Sequence, residues 1–478
     1  MKKKWLQIIY IVIVGVIVLL PLVGMAFKKE DDSASENRRL AELPALISEE
    51  GLNIYFLPQL GAYYEDHFAF REEAVAADSG IMAGVFGVSP VDTIIKGTGD
   101  WLYYKDSLHD FRNDAVISER EAFALAHNIA LIQKTLEGQG ISFLFTVAPN
   151  KNSLYGGNMP YYYSVKAQEE GNIELVSGYL NEMGVNYADL FEAFREVDGV
   201  LYRTQDSHWN GKGALLAYNC VLDQMQVDHD RHDRAVEKRV KTETGDLARS
   251  LYGKYADTEW DTIEDIAVKH TITNGADDWD ALLIETESVN KAGTLLMFRD
   301  SFGITLSPLV ADEFGKAAFS RATIYMLDSY VDTYKPDHVI FEIVERNLTN
   351  YVQFDPESQQ TSGPPIMHAP ETKIGETGTF EGHAFAVLYG STVQSSVGMI
   401  YGGITSGIID TNAEIYLTVT SEDNSKTYEA FLISDLSGNE NGFLAYLPWE
   451  ELDRKDLQIE VIIKQGEEYL AVETEVIK

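Results

Sequence analysis

Gly293-Thr294-Leu295-Leu296-Met297-Phe298-Arg299-Asp300-Ser301-Phe302 is the stretch from which the fold can be read. Its first six residues are a short apolar run, bounded by a glycine on one side and by polar Arg299-Asp300 on the other. That is the pattern of a strand buried on both faces of a parallel sheet. Ser301 then stands at the carboxyl end of the strand, where open α/β sheets place their ligands. The residues from Thr305 to Gly315 are expected to be helical, with Gly315 as the stop signal. A serine between strand and helix can expose its own backbone N–H, together with a helix N-terminus, towards an oxyanion.

About ninety residues earlier comes Asp206-Ser207-His208-Trp209. If Leu201 to His208 is extended, Asp206 and His208 share a face, and the carboxylate can reach the imidazole and fix its tautomer. The other ring nitrogen is then free for a serine. A carboxylate, an imidazole and a serine are the three groups that activate a hydroxyl for acyl transfer. Trp209 and Asn210-Gly211-Lys212-Gly213 lead into an apolar helical stretch, Ala214 to Met225, with Asn210 as its N-cap. Taken alone, Asp-x-His is also the pattern of a surface or capping pair, and a lone Asp-Ser is weaker still. Among the ten histidines no His-x-x-x-His spacing appears, so a zinc reading of His208 has little support.

The same alternation extends along the chain. Ser118 to Gln139 reads as a long amphipathic helix, Ile141 to Ala148 as a strand, Asn172 to Gly184 as a helix and Val185 to Leu190 as a strand. Ala322 to Met326 and His338 to Val344 read as further buried strands, which makes a doubly wound α/β sheet. Arg231 to Glu287 is charge-rich with weak periodicity, an insertion expected to border the site. Gln, Ser, Thr, Gly and Pro dominate 353–370, a linker. Beyond it, Ala384 to Tyr389, Glu414 to Val419, Tyr428 to Ile433 and Leu457 to Ile463 are strand-like and separated by turn residues. About one hundred residues of short strands predict an all-β, sandwich-like domain. Such a domain could bind polysaccharide, space other parts of the protein or dock a partner.

At 478 residues the chain exceeds what one core normally holds, so two folded domains are expected. Lys2 to Lys4 precede an uncharged apolar run, Trp5 to Phe27, of about 23 residues, long enough to span a bilayer at ~1.5 Å per residue. The lysines place the bulk of the chain outside the cytoplasm. A cleaved signal peptide is the competing reading, since Val23-Gly24-Met25-Ala26 offers small residues, although the run exceeds a usual signal h-region. Residues 1–27 are therefore read as cytoplasmic tip and anchor, 28–46 as a polar tether, 47–352 as the α/β domain and 371–478 as the β domain.

With 75 acidic against 38 basic residues the net charge is −37, which excludes nucleic acid as a partner because the phosphate backbone needs a basic face. A neutral polymer or one with amino sugars is easier to accommodate than a polyuronate. The single cysteine, Cys220, lies in the apolar helix after the histidine motif and reads as a small buried residue. An extracytoplasmic chain without disulfides fits a secretion system that does not oxidise its clients.

The ordered set of motifs resembles a known family. Glu36-Asn37-Arg38-Arg39-Leu40, His67-Phe68-Ala69-Phe70-Arg71, Gly99-Asp100-Trp101-Leu102-Tyr103-Tyr104, Pro149-Asn150-Lys151, Asp206-Ser207-His208-Trp209, Arg299-Asp300-Ser301-Phe302 and Glu345-Arg346-Asn347 are similar, in that order, to the DHHW-motif family. That family is related to the SGNH-hydrolase-like proteins that O-acetylate alginate and other exopolysaccharides. The resemblance implies an SGNH-hydrolase-like fold and an acyl-serine mechanism in which Ser301 is the nucleophile, His208 the base and Asp206 its orienter. It also implies a polysaccharide acceptor, a membrane-bound O-acyltransferase as the acetyl-donor partner, and no metal or diffusible cofactor. Asn150, Lys151, Trp209, Arg299 and Arg346 are the candidates for substrate or oxyanion contacts, Asn150 being the best placed, at the end of a strand. Two positions depart from the family pattern. Ser207 replaces a histidine, with a side chain expected to point away from the Asp–His face, and Arg299 replaces the glycine of Gly-Asp-Ser. A carbohydrate esterase using the same three groups, and a non-catalytic polysaccharide-binding or scaffold protein, are the alternative readings.

Overall fold

A computed structural model describes residues 2–24, 32–33, 38–48, 51–241, 243–321, 327–355, 367–389, 396–421, 424–435, 437–454 and 456–477. The apolar N-terminal run folds as helix α1, Lys2–Gly24, with Ile11, Leu19 and Val23 exposed. Among the described residues no helix is long and apolar enough to cross a membrane, so the expected span is not shown. Most of the tether lies outside the described residues.

Helix α2, Glu119–Gly138, is started by Ser118, whose hydroxyl accepts from the Glu121 N–H while the Glu121 carboxylate accepts from the Ser118 N–H. The chain then builds a seven-stranded sheet from β1 Ser142–Ala148, β2 Tyr187–Ala188, β3 His270–Ile272, β4 Leu283–Ser288, β5 Thr294–Phe298, β6 Lys316–Ser320 and β7 His338–Val344. The spatial order is β3-β4-β6-β5-β7-β1-β2. Strands β6, β5, β7, β1 and β2 are parallel, and β4 and β3 add an antiparallel edge. Strand β5 sits between β6 and β7, as its apolar run requires. Leu296 and Phe298 pack into the core on one face and Leu295 and Met297 into the core on the other. The expected strand at Ala322 to Met326 lies outside the described residues.

On the face of Leu295 and Met297 lie helix α3, Gly211–Gln224, and helix α5, Gly303–Ala311, which pack against each other. The serine motif opens α5 and the histidine motif opens α3, so packing the two helices brings the motifs to one end of the sheet. Helix α5 is not the expected 305–315 stretch. It begins at Gly303, and Gly315 is no stop signal, because the helix ends at Ala311. A Cβ at Gly315 would sit 2.8 Å from the Lys291 carbonyl oxygen, so this glycine permits a close crossing just before β6.

The C-terminal region is one hydrogen-bonded ten-stranded sheet, a half-barrel and not the expected two-sheet sandwich. Its concave core is shared with α2, whose Ala122, Leu125 and Ile129 join Phe431, Leu444 and Ile463 in a single cluster. A helix from the α/β domain thus fills the place a second sheet would occupy. The expected linker is tied down at both ends: Gln353–Phe354 pairs with the strand Phe431–Asp435, and Met367 and Ala369 are buried. Asn128 of α2 locks the two parts together. Its amide donates to the Leu432 carbonyl and accepts from the Leu432 N–H, both at 2.8 Å and all buried. Asn128→Ala strands two buried backbone groups. It should cost about 2–4 kcal/mol and lower the urea midpoint for loss of the α2–half-barrel contact, and an unchanged midpoint would show that the amide contributes nothing.

Candidate active site

The two motifs meet. His208 Nε2 lies 2.8 Å from Ser301 Oγ, across 93 residues of chain, and His208 Nδ1 lies 2.7 Å from Asp206 Oδ1. Helix packing is the reason. Trp209, fully buried, donates its indole N–H to Thr305 Oγ1 on α5 at 2.7 Å and meets Phe302 edge-on. At the start of α3, Asn210 Oδ1 accepts from the Gly213 N–H, as expected of the N-cap. Gly213 has to be small there, since a Cβ would stand 2.4 Å from the Leu201 carbonyl oxygen.

Asp206 and His208 do not share a strand face. Tyr202 and Trp209 form a single bridge, and residues 204–207 turn between them. The Asp206 carboxylate accepts from the His208 backbone N–H at 3.0 Å as well as from the ring, so a local side-chain turn, and not strand alternation, sets the pair. The other Asp206 oxygen accepts from Arg203 at 2.9 Å and from the Asp246 N–H at 3.1 Å. Burial alone would raise the Asp206 pKa, but the bonds and charges of His208 and Arg203 prevail and hold it well below the usual carboxylate range. Burial likewise works against a charged His208, and the Asp206 hydrogen bond and charge overcome it, leaving the imidazole pKa above its ordinary value.

The serine turn is held by Asp300. Its two oxygens accept from the Phe302 N–H at 2.8 Å and from the Val344 N–H at 2.7 Å, and its own N–H donates to Glu342. Burial and the charge of the facing Asp300 push the Glu342 carboxyl well above its ordinary pKa. The Arg299 N–H donates to the Ser320 carbonyl. While the N–H groups of Arg299, Asp300 and Phe302 are engaged, the Ser301 N–H donates to no protein acceptor among the described residues, and an oxyanion would meet it.

A cleft of about 390 Å³ opens at Ser301 and His208, lined also by Tyr104, Asp106, Ser207, Asp246, Arg346, Asn347 and Asn350. Of the five residues expected to contact substrate or an oxyanion, only Arg346 lines it. Arg346 stacks over the rings of Tyr104 and Phe302 and reaches Asn150 Oδ1 at 3.3 Å. The other four serve the framework. The Asn150 amide donates to Asp110, and its backbone N–H donates to Glu345, whose pKa burial pushes up to about 8. Lys151, buried with its pKa lowered to about 7, donates to the carbonyls of Arg203, Thr204 and Asp206 and so supports the turn from beneath. Arg299 donates to the carbonyls of Trp279, Ala281 and Asp300. Trp209 is the brace between α3 and α5.

Sequence reading missed Asp106, Asp246, Asn347 and Asn350. Asn347 adjoins Arg346 in a quoted motif, and Asp246 comes from the charge-rich segment expected at the site's border, but neither carried a local signal. Ser207 was expected to point away; instead its hydroxyl lies 3.3 Å from His208 Nδ1, because the backbone turns there. Two groups among the described residues set three possible metal-ligand atoms close together: Asp206, His208 and Asp246, and His127, Glu414 and Glu429. In both, protein donors already engage the carboxylates, Lys134 on Glu429 and Lys464 on Glu414 among them. Both donor sets are those of ion networks.

Residues 94–291 match the family model of an SGNH hydrolase-like domain, acetyltransferase AlgX. The matched stretch is SGNH hydrolase-like. This bears out the family resemblance carried by the motifs. The SGNH hydrolase-like match takes in Asp206 and His208 and ends before Ser301, which the sheet brings to them. No curated protein matches the chain. Similar solved structures include a DHHW family protein from Eubacterium siraeum (18% identity, 47% of this chain and 85% of that one, TM-score 0.39). Bacillus cereus PatB1 (17%, 53% and 96%, 0.42) and the O-acetyltransferase domain of Pseudomonas putida AlgJ (16%, 55% and 96%, 0.35) are also similar. At such identities and TM-scores these likenesses bear on neither substrate nor mechanism here.

The raised His208 pKa has a measurable consequence. As pH falls through it, the imidazole takes a proton and can no longer accept one from Ser301. Labelling of Ser301 by a sulfonyl fluoride should therefore decline with an acid limb above 6.5, the ordinary histidine value. Asp206→Asn should move that limb down and slow labelling. A limb below the ordinary value would contradict the electrostatics described.

Proposed function

We propose that this chain is an O-acetyltransferase that acetylates a cell-surface or secreted polysaccharide through an acyl-serine intermediate. The observation that carries the reading is the Asp206–His208–Ser301 relay, closed at 2.7 and 2.8 Å at the carboxyl end of a buried strand and opening into a polar cleft. Three groups in this arrangement activate a hydroxyl twice, first the serine's and then the acceptor's.

In the proposed cycle Ser301 Oγ attacks the carbonyl of an acetyl donor while His208 Nε2 takes the hydroxyl proton. The Ser301 N–H faces the tetrahedral oxyanion, and collapse expels the donor's leaving group, which receives the proton from His208. A sugar hydroxyl then gives its proton to His208 and attacks the acyl-serine. The second collapse returns the proton to Ser301 Oγ and releases the acetylated sugar. Asp206 holds the Nδ1 proton and stabilises the imidazolium in both halves. Tyr104, Asp106, Arg346, Asn347 and Asn350 supply the hydrogen-bonding wall that suits a polyhydroxylated acceptor.

The family match supports acetyl transfer in particular, through the acetyltransferase in its description. The support for a single-pass anchor with the domains outside the cytoplasm is the sequence pattern alone, the uncharged apolar run Trp5 to Phe27 after Lys2 to Lys4. On that reading the donor is a membrane-bound O-acyltransferase that carries acetyl groups across the bilayer.

Ser301→Ala and His208→Ala should each lower turnover of an activated acetyl ester by roughly 10³-fold or more, and the double variant should be no worse than either single one. With an oligosaccharide present, wild type should yield acetylated sugar in preference to free acetate. Full activity in Ser301→Ala removes the covalent mechanism, and acetate as the sole product with every acceptor makes the protein an esterase.

A further inference from the structure

The charge-rich segment brings into the cleft a carboxylate that neither motif contains. Asp246 opens helix α4, Asp246–Tyr252. One of its oxygens accepts from the Ser207 backbone N–H at 2.8 Å and the other from the Ser207 hydroxyl, while its own N–H donates to Asp206 Oδ2 at 3.1 Å. The Asp246 carboxylate lies 3.8 Å from His208 Nδ1. The same first turn of α4 is strapped to the loop a second time, the Ala248 N–H donating to the Gln205 carbonyl at 3.1 Å. Gly245 allows that approach, since a Cβ there would stand 2.2 Å from the Gln205 oxygen. Residues 205, 206 and 207 are thus each bonded to the start of α4.

We propose that Asp246 is a positioning residue for the acyl-transfer reaction, and so rests on that reading. Acting through Ser207, it fixes the Asp206–His208 turn, and it sets a second negative charge beside Nδ1. Ser207, where the resembled family has a histidine, is the link that makes a carboxylate from another segment useful at this point. The groups facing His208 are Asp206 and Asp246 on the Nδ1 side, Arg346 and Tyr104 from the cleft wall and Asp106 across it, with Arg203 behind Asp206 and Lys151 beneath the turn. Asp206 dominates, because its side chain is 6% exposed against 45% for Asp246. The Asp246 charge is screened by water and salt, so its effect is smaller and depends on ionic strength.

The test is a set of pH–rate profiles for ester turnover per active site, with sites counted by sulfonyl labelling of Ser301, for wild type, Asp246→Asn, Asp246→Glu and Ser207→Ala, with Ser301→Ala assayed per mole of folded protein beside them. At low salt Asp246→Asn should shift the acid limb down by on the order of half a pH unit and lower kcat about tenfold. The shift should shrink at high salt, and Asp246→Glu should restore the limb. Ser207→Ala should lower kcat while leaving the limb in place, since the carboxylate keeps its backbone donor and its position. An Asp246→Asn profile that overlays wild type, or a loss confined to the number of labelled sites with limb and kcat per site unchanged, overturns the positioning role. A fully active Ser301→Ala overturns the acyl-transfer reading itself, and the Asp246 proposal with it.

Discussion

The hydrogen bond between His208 and Ser301 exists because two helices pack. Neither motif could find the other by local preference, since 93 residues and much of the sheet separate them. Helix α3 begins at the end of one motif and α5 at the end of the other, and both lie on one face of β5. Trp209 then fixes the distance, with its ring against Phe302 and its indole N–H on Thr305. Were that buried indole lost, the imidazole and the hydroxyl would be held only by the flexible ends of two turns, and the site is most sensitive at this contact.

Around this contact the structure uses charge to position backbone. Asp300 ties the serine turn to the end of β7, Lys151 holds three carbonyls under the histidine turn, and Arg299 holds three more on the far side. Each is a buried or half-buried polar group matched to fixed backbone dipoles, costly if either side is lost. The polar residues nearest the reacting groups therefore divide into a buried set that serves the framework and a wall set that faces the cleft, of which Arg346, reaching Asn150 in the framework, belongs to both.

The parts of the fold that a local pattern dictates were legible in the sequence. The apolar run before Arg299, short and bounded by a glycine and polar residues, reads as a buried strand of a parallel sheet, and β1, β7, α2 and α3 follow their periodicities within a residue or a few at their ends. The Asp–His pair was legible because two residues suffice to make it, although its geometry is a side-chain turn and not a strand. Where a long side chain points was not legible. Lys151, Arg299 and Trp209 sit beside the site in sequence but face carbonyls or core, because segments that arrive later in the chain decide their surroundings. Asp246 failed for the same reason in reverse, coming from 39 residues beyond Ser207 through a segment with no clear period. The half-barrel escaped because strand alternation reports which residues are buried and not what buries them, here helix α2.

The central claim, that Ser301 carries the acyl group between donor and acceptor, is tested most directly by mass spectrometry of the protein quenched in acid after brief exposure to an activated acetyl ester. The account predicts one acetyl group per chain, located on Ser301 by peptide mapping, and its disappearance into acetylated sugar when an acceptor oligosaccharide is added before the quench. A protein that turns over the ester with Ser301 unmodified, or with the acetyl group on Ser207 or another residue, would contradict it.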